Sequence, residues 1–294
     1  MSSRFGIAGD TEVAERLDFA LTRHPFNLSR REARRRLAEG NVVLDGRPIS
    51  IASRTVHVGA HISVVAADAD IEVLLAARDR ILVNKPDSLP TQPSPGSTNP
   101  SLIEVLAVVL RKREEPHELY LVHRLDTNTT GVTLLARERP AAERLSNVIS
   151  GGDCIKEYLA IVEGKMDSGR VVDAPIGRVS ENIFGVVADG KPATSNVTPL
   201  ATTDELSLLR IRIATGRTHQ IRIHLAHIGF PIVGDRKYGS DRTRESAARP
   251  LLHAARLQHS SIGDVTAPIP DDFQAFAAAA GLEISGLSGQ AKAN

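Results

Sequence analysis

Leu121 to Arg137 read LVHRLDTNTTGVTLLAR. Leu121 and Val122 enter as an apolar pair, Thr127 to Thr130 form a polar segment, Gly131 interrupts, and Val132 to Ala136 leave as an aliphatic run. Aliphatic and β-branched runs bounded by Gly and small polar residues favour extended chain, so the stretch reads as strand, loop, strand. The loop holds one carboxylate, Asp126, two residues after Arg124 and three after His123. An Asp before Thr and Asn can simply bond backbone amides two residues on and shape a turn. A polar loop pinned between two buried strands is also a good position for chemistry.

Downstream, Lys156 to Gly164 reads as a strand that carries Tyr158, one of 3 tyrosines in the chain. From Leu206 to Ile213 the chain alternates, with Leu209, Ile211 and Ile213 on one side and Arg210 and Arg212 on the other. Thr215-Gly216-Arg217-Thr218-His219-Gln220-Ile221-Arg222 then opens a helix, with Thr218 placed to cap it. His219, His224 and His227 raise the question of zinc, but neither carboxylate nor cysteine accompanies them at ligand spacing, so no metal site is expected. Upstream, Asp87 to Pro100 is rich in proline and reads as a surface loop. Ser101 and Glu104 have the spacing of a capping box that opens a helix.

The N-terminal part is arginine-rich. Six arginines and a single acid, Glu32, lie between Arg23 and Arg36. A helix is expected from Arg16 to Arg23, and a second one opens at Ser29 with Glu32 as the return partner of a capping box. Arg30 and Arg34 share one helix face and Arg31 and Arg35 another. Asp45-Gly46 is a hairpin turn signal. Such a basic face suits phosphates, against the plainer reading of a solvated helix.

Composition narrows the remaining choices. The 294 residues suit one large domain and one small one. Aromatics are 3% and Trp is absent, so aliphatic residues must fill the core. The net charge of +1 names no partner. The single cysteine, Cys154, leaves no internal disulfide and fits a reducing, cytoplasmic setting. No apolar run approaches the ~18–20 residues of a membrane span, and the N-terminus lacks a signal-peptide apolar region.

Three motifs resemble one family in order. HRLDTNTTGVTLLAR is similar to the catalytic segment of the RluA-type pseudouridine synthases, with Thr130 where those proteins usually carry Ser. Lys156-Glu157-Tyr158-Leu159-Ala160 resembles the second motif of that family, and Thr215 to Arg222 the third. Lys85-Pro86 also matches, although Asp87-Ser88-Leu89 departs from the usual Ala-Gly-Leu, and Ile232 to Asp235, Tyr238-Gly239 and Leu252-His253-Ala254 match as well. Residues from Arg16 to Val65 resemble the α-L RNA-binding domain of a small-subunit ribosomal protein.

These resemblances imply an α+β protein: a mixed, largely antiparallel sheet with flanking helices, preceded by a small α-L domain. The expected layout is a loose tail over 1–14, the RNA-binding domain over 15–66, the catalytic domain over 71–283 and a disordered tail over 284–294. The implied reaction is isomerisation of uridine to pseudouridine in structured RNA, ribosomal rather than transfer RNA, by a monomer without cofactor or metal. Asp126 would attack the anomeric carbon or take a proton from the sugar. Arg217 would keep Asp126 ionised, and Tyr158 would lie against the target base. Arg124 would fill the gap left by an extruded nucleotide. His123, Lys85, Arg30, Arg31, Arg34 and Arg35 complete the expected RNA-binding set. Two rivals are an RNA-binding assembly factor without catalysis and a metal-dependent nuclease.

Overall fold

The computed structural model describes residues 4–94, 97–181 and 183–284. The chain forms two compact units. One holds the chain up to Ile81 with 88–127 and 134–142; the other holds 82–87, 128–133 and the chain from Glu143 onward.

The first unit begins β1 (Gly6–Asp10), β2 (Glu15–Arg16), α1 (Leu17–Ala20), α2 (Arg30–Ala38), β3 (Val42–Leu44), β4 (Arg47–Ile49), β5 (Thr55–Val56) and β6 (His61–Val65). Strands β1-β6-β3-β4 form an antiparallel sheet. Leu17, Leu21, Ala33 and Leu37 close a core over Val42, Ile62 and Val64. The β3–β4 turn is the expected Asp45-Gly46, and both residues adopt positive φ, 48° and 79°.

Three expectations change here. Within the stretch expected to be a loose tail, 1–14, Gly6 to Asp10 instead pair with β6 at all five positions, and 1–3 lie outside the described residues. Gly and Ala dominate that strand, so no alternation of polar and apolar residues marks it in the sequence. The first helix covers only Leu17–Ala20, with turns following to Phe26. The capping box of α2 is half formed: Ser29 Oγ accepts from the Glu32 amide at 3.1 Å, while the Glu32 carboxylate turns to Arg35 and Arg36 at 2.7 Å each. Two guanidinium groups outbid one backbone amide for the same carboxylate.

The unit continues through β7 (Val73–Ala76), β8 (Arg80–Lys85), α3 (Leu102–Lys112), β9 (Tyr120–Leu121), β10 (Thr130–Ala136) and α4 (Arg139–Ser150), with β8, β10 and α4 cut by the unit boundary. Helix α3 is apolar nearly all round, and Leu102, Val105, Leu106, Val108 and Leu110 are fully buried. Its capping box is complete, with the Ser101 side chain on the Glu104 backbone amide and Glu104 Oε2 accepting from the Ser101 amide at 2.9 Å; the Ser101 hydroxyl also lies 2.7 Å from that oxygen. The other Glu104 oxygen accepts from Ser63 Oγ on β6 at 2.9 Å. This ties α3 to the small sheet, so the expected division between 66 and 71 is not where the chain separates into units.

The second unit adds β11 (Ile155–Glu163), β12 (Arg170–Asp173), β13 (Ile176–Ser180), β14 (Ile183–Val186), β15 (Thr194–Thr202), β16 (Leu206–Ile213), α5 (Gln220–His227), β17 (Leu252–His259), β18 (Gly263–Thr266) and α6 (Asp271–Ala279). Its sheet runs β12-β15-β16-β11-β17-β10, with β18 beside β17. Every one of these pairs is antiparallel except β10–β17. The expected mixed, largely antiparallel sheet is present. Ala174-Pro175 still turns the chain, but Ile176 and Gly177 already belong to β13. One sheet face packs Ala160, Val162, Leu209 and Ile211 against Ile221 and Leu225 of α5. The other packs Leu159, Ile161 and Leu208 against Phe273 and Ala277 of α6. Ile284 closes the described chain, and the rest of the expected tail, 285–294, lies outside the described residues.

Candidate active site

The loop from His123 to Thr130 is held at both shoulders. Thr91 Oγ1 donates to the Leu125 carbonyl at 2.7 Å and accepts from the Leu125 amide at 3.2 Å. His123 Nε2 accepts from the Leu134 amide at 3.0 Å, which leaves the ring proton on Nδ1. Leu125 is buried, whereas Asp126 is half-buried and Arg124 exposed. Anchoring the neighbours on each side presents the carboxylate on a fixed backbone.

The exit of the loop belongs to the second unit. Thr130 and Gly131 pair in parallel with His253 and Ala254. Gly131 has φ 112°, and a Cβ there would lie 2.1 Å from the Ala254 carbonyl oxygen, so only glycine lets the two strands meet. Thr130 Oγ1 lies 2.9 Å from His253 Nδ1. Burial pushes the His253 imidazole down to about 4, so it is neutral at pH 7. Arg249, itself buried, grips Asp272 at 2.7 and 2.8 Å and reaches the Asn128 carbonyl at 3.4 Å.

Ala254 pairs on its other side with Tyr158, which sits at a register shift in β11. The end of the first motif and the centre of the second therefore stand one strand apart. The Tyr158 ring is half-buried and packs on the core beneath α5.

The third motif is organised by Gln220. Its Oε1 accepts from Thr215 Oγ1 at 2.7 Å and from the Arg217 amide at 3.0 Å. Its Nε2 donates to the Thr194 carbonyl at 2.9 Å and to Ser195 Oγ at 3.1 Å. One buried side-chain amide thus fixes the turn that carries Arg217, whose exposed side chain donates from Nε to the Pro192 carbonyl at 3.0 Å. The cap of α5 is His219 rather than Thr218; it adopts φ 54°, and its Nδ1 lies 2.8 Å from the Tyr238 hydroxyl. Behind the turn, Asp235 accepts from Arg222 Nε and Nη2 at 2.7 and 2.8 Å. Burial raises the Asp235 pKa, but the guanidinium outweighs it and holds the group ionised below its usual range.

His224 is buried, with Ser195 Oγ and the Ala174 carbonyl each 2.9 Å from its ring nitrogens. Among the described residues no group of three His, Cys, Asp or Glu side chains is placed to hold a metal. No helix among them is long and apolar enough to cross a membrane.

Lys85 departs from expectation. It is fully buried, and its Nζ donates to the Pro86 carbonyl at 2.9 Å, so its ammonium does not face solvent. His123 likewise spends its described bond on backbone.

The N-terminal arginines are arranged around an acid that charge counting does not single out. Asp18 is fully buried and accepts from Arg16 at 3.0 Å, Arg34 at 3.2 Å and Arg30 at 3.5 Å. Its pKa is lowered chiefly by Arg16, then by Arg34 and Arg30 against the opposing effect of burial. Arg30 also lies over the Phe19 ring at 4.2 Å. One carboxylate therefore orients three guanidinium groups and leaves donors facing outward. Arg31 and Arg35 are exposed, and Arg35 pairs with Glu32.

Residues 79–227 match the RNA pseudouridylate synthase family, and 15–62 match the S4 domain. The chain belongs to the RNA pseudouridylate synthase family. The first of these matches contains Asp126, Tyr158 and Arg217. The synthase is 36% identical over 290 residues to an uncharacterised RNA pseudouridine synthase of Chloroflexus aurantiacus, with 92% of each chain covered. It is 31% identical over 293 residues to the ribosomal large subunit pseudouridine synthase D of Vibrio cholerae, with 90% of each covered. Human RNA pseudouridylate synthase domain containing 4 superposes with a TM-score of 0.62 at 26% identity, covering 72% of the synthase and 94% of the human chain.

Proposed function

We propose that the synthase isomerises specific uridines of large-subunit ribosomal RNA with Asp126 as its single catalytic carboxylate. The observation that carries this reading is the pinned His123–Thr130 loop, in which Thr91 and His123 hold the backbone and Asp126 is left partly exposed. The reaction breaks the bond from ribose to uracil nitrogen, turns the base and closes a bond to ring carbon 5. It needs an ionised carboxylate and no redox or metal chemistry.

The roles of the other residues follow the family resemblance. Arg217 keeps the carboxylate ionised once RNA excludes water, Tyr158 lies against the base, and Arg124 takes the place of the extruded nucleotide. The burial of Lys85 removes it from this set. Arg30, Arg31, Arg34 and Arg35 grip the phosphate backbone without reading sequence. The ribosomal target is supported by relatives of matching length that are named for the large ribosomal subunit. The test compares wild type with Asp126→Asn on a large-subunit ribosomal RNA transcript. The variant should bind the transcript normally and form no pseudouridine; turnover by the variant would refute the assignment.

A further inference from the structure

Alternation along β15 and β16 sends Val197, Leu209 and Ile211 to the core that Tyr158 packs against, and Asn196, Thr198, Arg210 and Arg212 to the opposite face. Helix α6 covers part of that opposite face, over Leu159, Ile161 and Leu208. Beyond it lies an open cleft of ≈ 250 Å³ lined by Asn196, Thr198, Arg210 and Arg212.

The cleft is short of acceptors. Arg212 faces Glu157 across β11 and donates to it from Nε at 2.9 Å. Arg210 faces Leu159 on β11 and Thr198 on β15. Its Nε lies 3.6 Å from Glu157, too far for a hydrogen bond, and is buried without a hydrogen-bond partner among the described residues. That N–H is covered by protein and held only in the ion pair with Glu157, so what the cleft presents to a ligand is the exposed remainder of the Arg210 side chain, 35% of it. The neighbouring carboxylate Asp264 offers no relief, because it accepts from Arg256 at 2.7 and 2.6 Å. Two guanidinium groups thus share one carboxylate, beside a side-chain amide and a hydroxyl.

We propose that this cleft binds a phosphate group of the RNA backbone, a second contact on the sheet face opposite Tyr158. Arg210 supplies the charged donor, Asn196 and Thr198 supply neutral ones, and Glu157 aims Arg212. None of the four lining residues is aromatic or apolar, which suits an oxyanion. A protein interface would require an apolar centre. The proposal rests on RNA being the substrate, not on the identity of the catalytic carboxylate.

The test measures binding of the full-length synthase to a large-subunit ribosomal RNA transcript across a salt series. Wild type is compared with Arg210→Gln, the double change Arg210→Gln with Arg212→Gln, and Thr198→Glu. Thr198 is exposed, so the last variant adds a repelling carboxylate while leaving both arginines in place. Each lost phosphate contact should make the log–log salt slope shallower by about 0.7–0.9. Affinity at low salt should fall by roughly fivefold to tenfold. Pseudouridine formation at saturating RNA should be unchanged. An unaltered slope in the double variant, or full affinity in Thr198→Glu, overturns the proposal. So does competition by polyaspartate for this cleft with RNA binding intact, which would assign it to an acidic protein. Should Asp126→Asn remain active while the double variant still loses slope, the catalytic assignment fails and the phosphate site stands.

Discussion

Gly131 and Tyr158 flank Ala254 on three adjacent strands, β10, β17 and β11. Strands in a sheet are about 4.8 Å apart, so the exit of the Asp126 loop and the tyrosine of the second motif are about 10 Å apart. More than 20 residues of chain separate them in the sequence. The parallel β10–β17 pair makes the approach, and it depends on the missing side chain of Gly131.

Gly131→Ala should therefore damage both the fold and the site. The added methyl meets the Ala254 carbonyl, a backbone atom that cannot step aside. Chemical denaturation should show a loss of at least ~2 kcal/mol, the range of strained backbone positions. Gly59, with φ 81° but open space around it, is the control, and Gly59→Ala should cost less.

Gln220 positions Arg217 without facing RNA itself. Gln220→Ala should lower kcat by about tenfold to a hundredfold, because small displacements of a positioned group are that costly. The KM for RNA should change little. A fall in affinity with kcat preserved would assign Gln220 to binding. Arg217→Lys tests the group it positions: the charge remains but the planar donor pair is lost, and kcat should again fall.

Arg30→Gln with Arg34→Gln should weaken RNA binding across all sequences and make the salt slope shallower by about 0.7–0.9 per lost contact. Discrimination among RNAs should not change, since phosphate contacts carry no base information. A shift in the pattern of modified uridines would contradict this.

The buried histidines set an acid limit on stability. His253 titrates near pH 4 in the folded protein and near its ordinary 6.5 when unfolded. Between those values the unfolded state binds the extra proton, so stability falls as pH drops through that window. The loss amounts to about 3 kcal/mol for a depression of this size. His224, lowered by burial, acts in the same direction. Urea melts of wild type and His253→Asn at pH 7 and pH 5 check this: the variant should show the weaker pH dependence.

The sequence alone determined the strands around Asp126, the alternation of β16, the β3–β4 turn and the capped start of α3. Each rests on neighbouring residues, through side-chain periodicity, turn chemistry or a reciprocal cap. The tertiary structure alone decided the rest. Strand β1 is built of small residues and exists because β6 offers it an edge. Lys85 is internal because the fold encloses its strand, and Asp18 matters because Arg16, Arg30 and Arg34 converge on it. Thr91 anchors the Asp126 loop from within a stretch that reads only as a proline-rich surface loop. Such partners are chosen by distance in space, and no local pattern in the chain records which distant groups will meet.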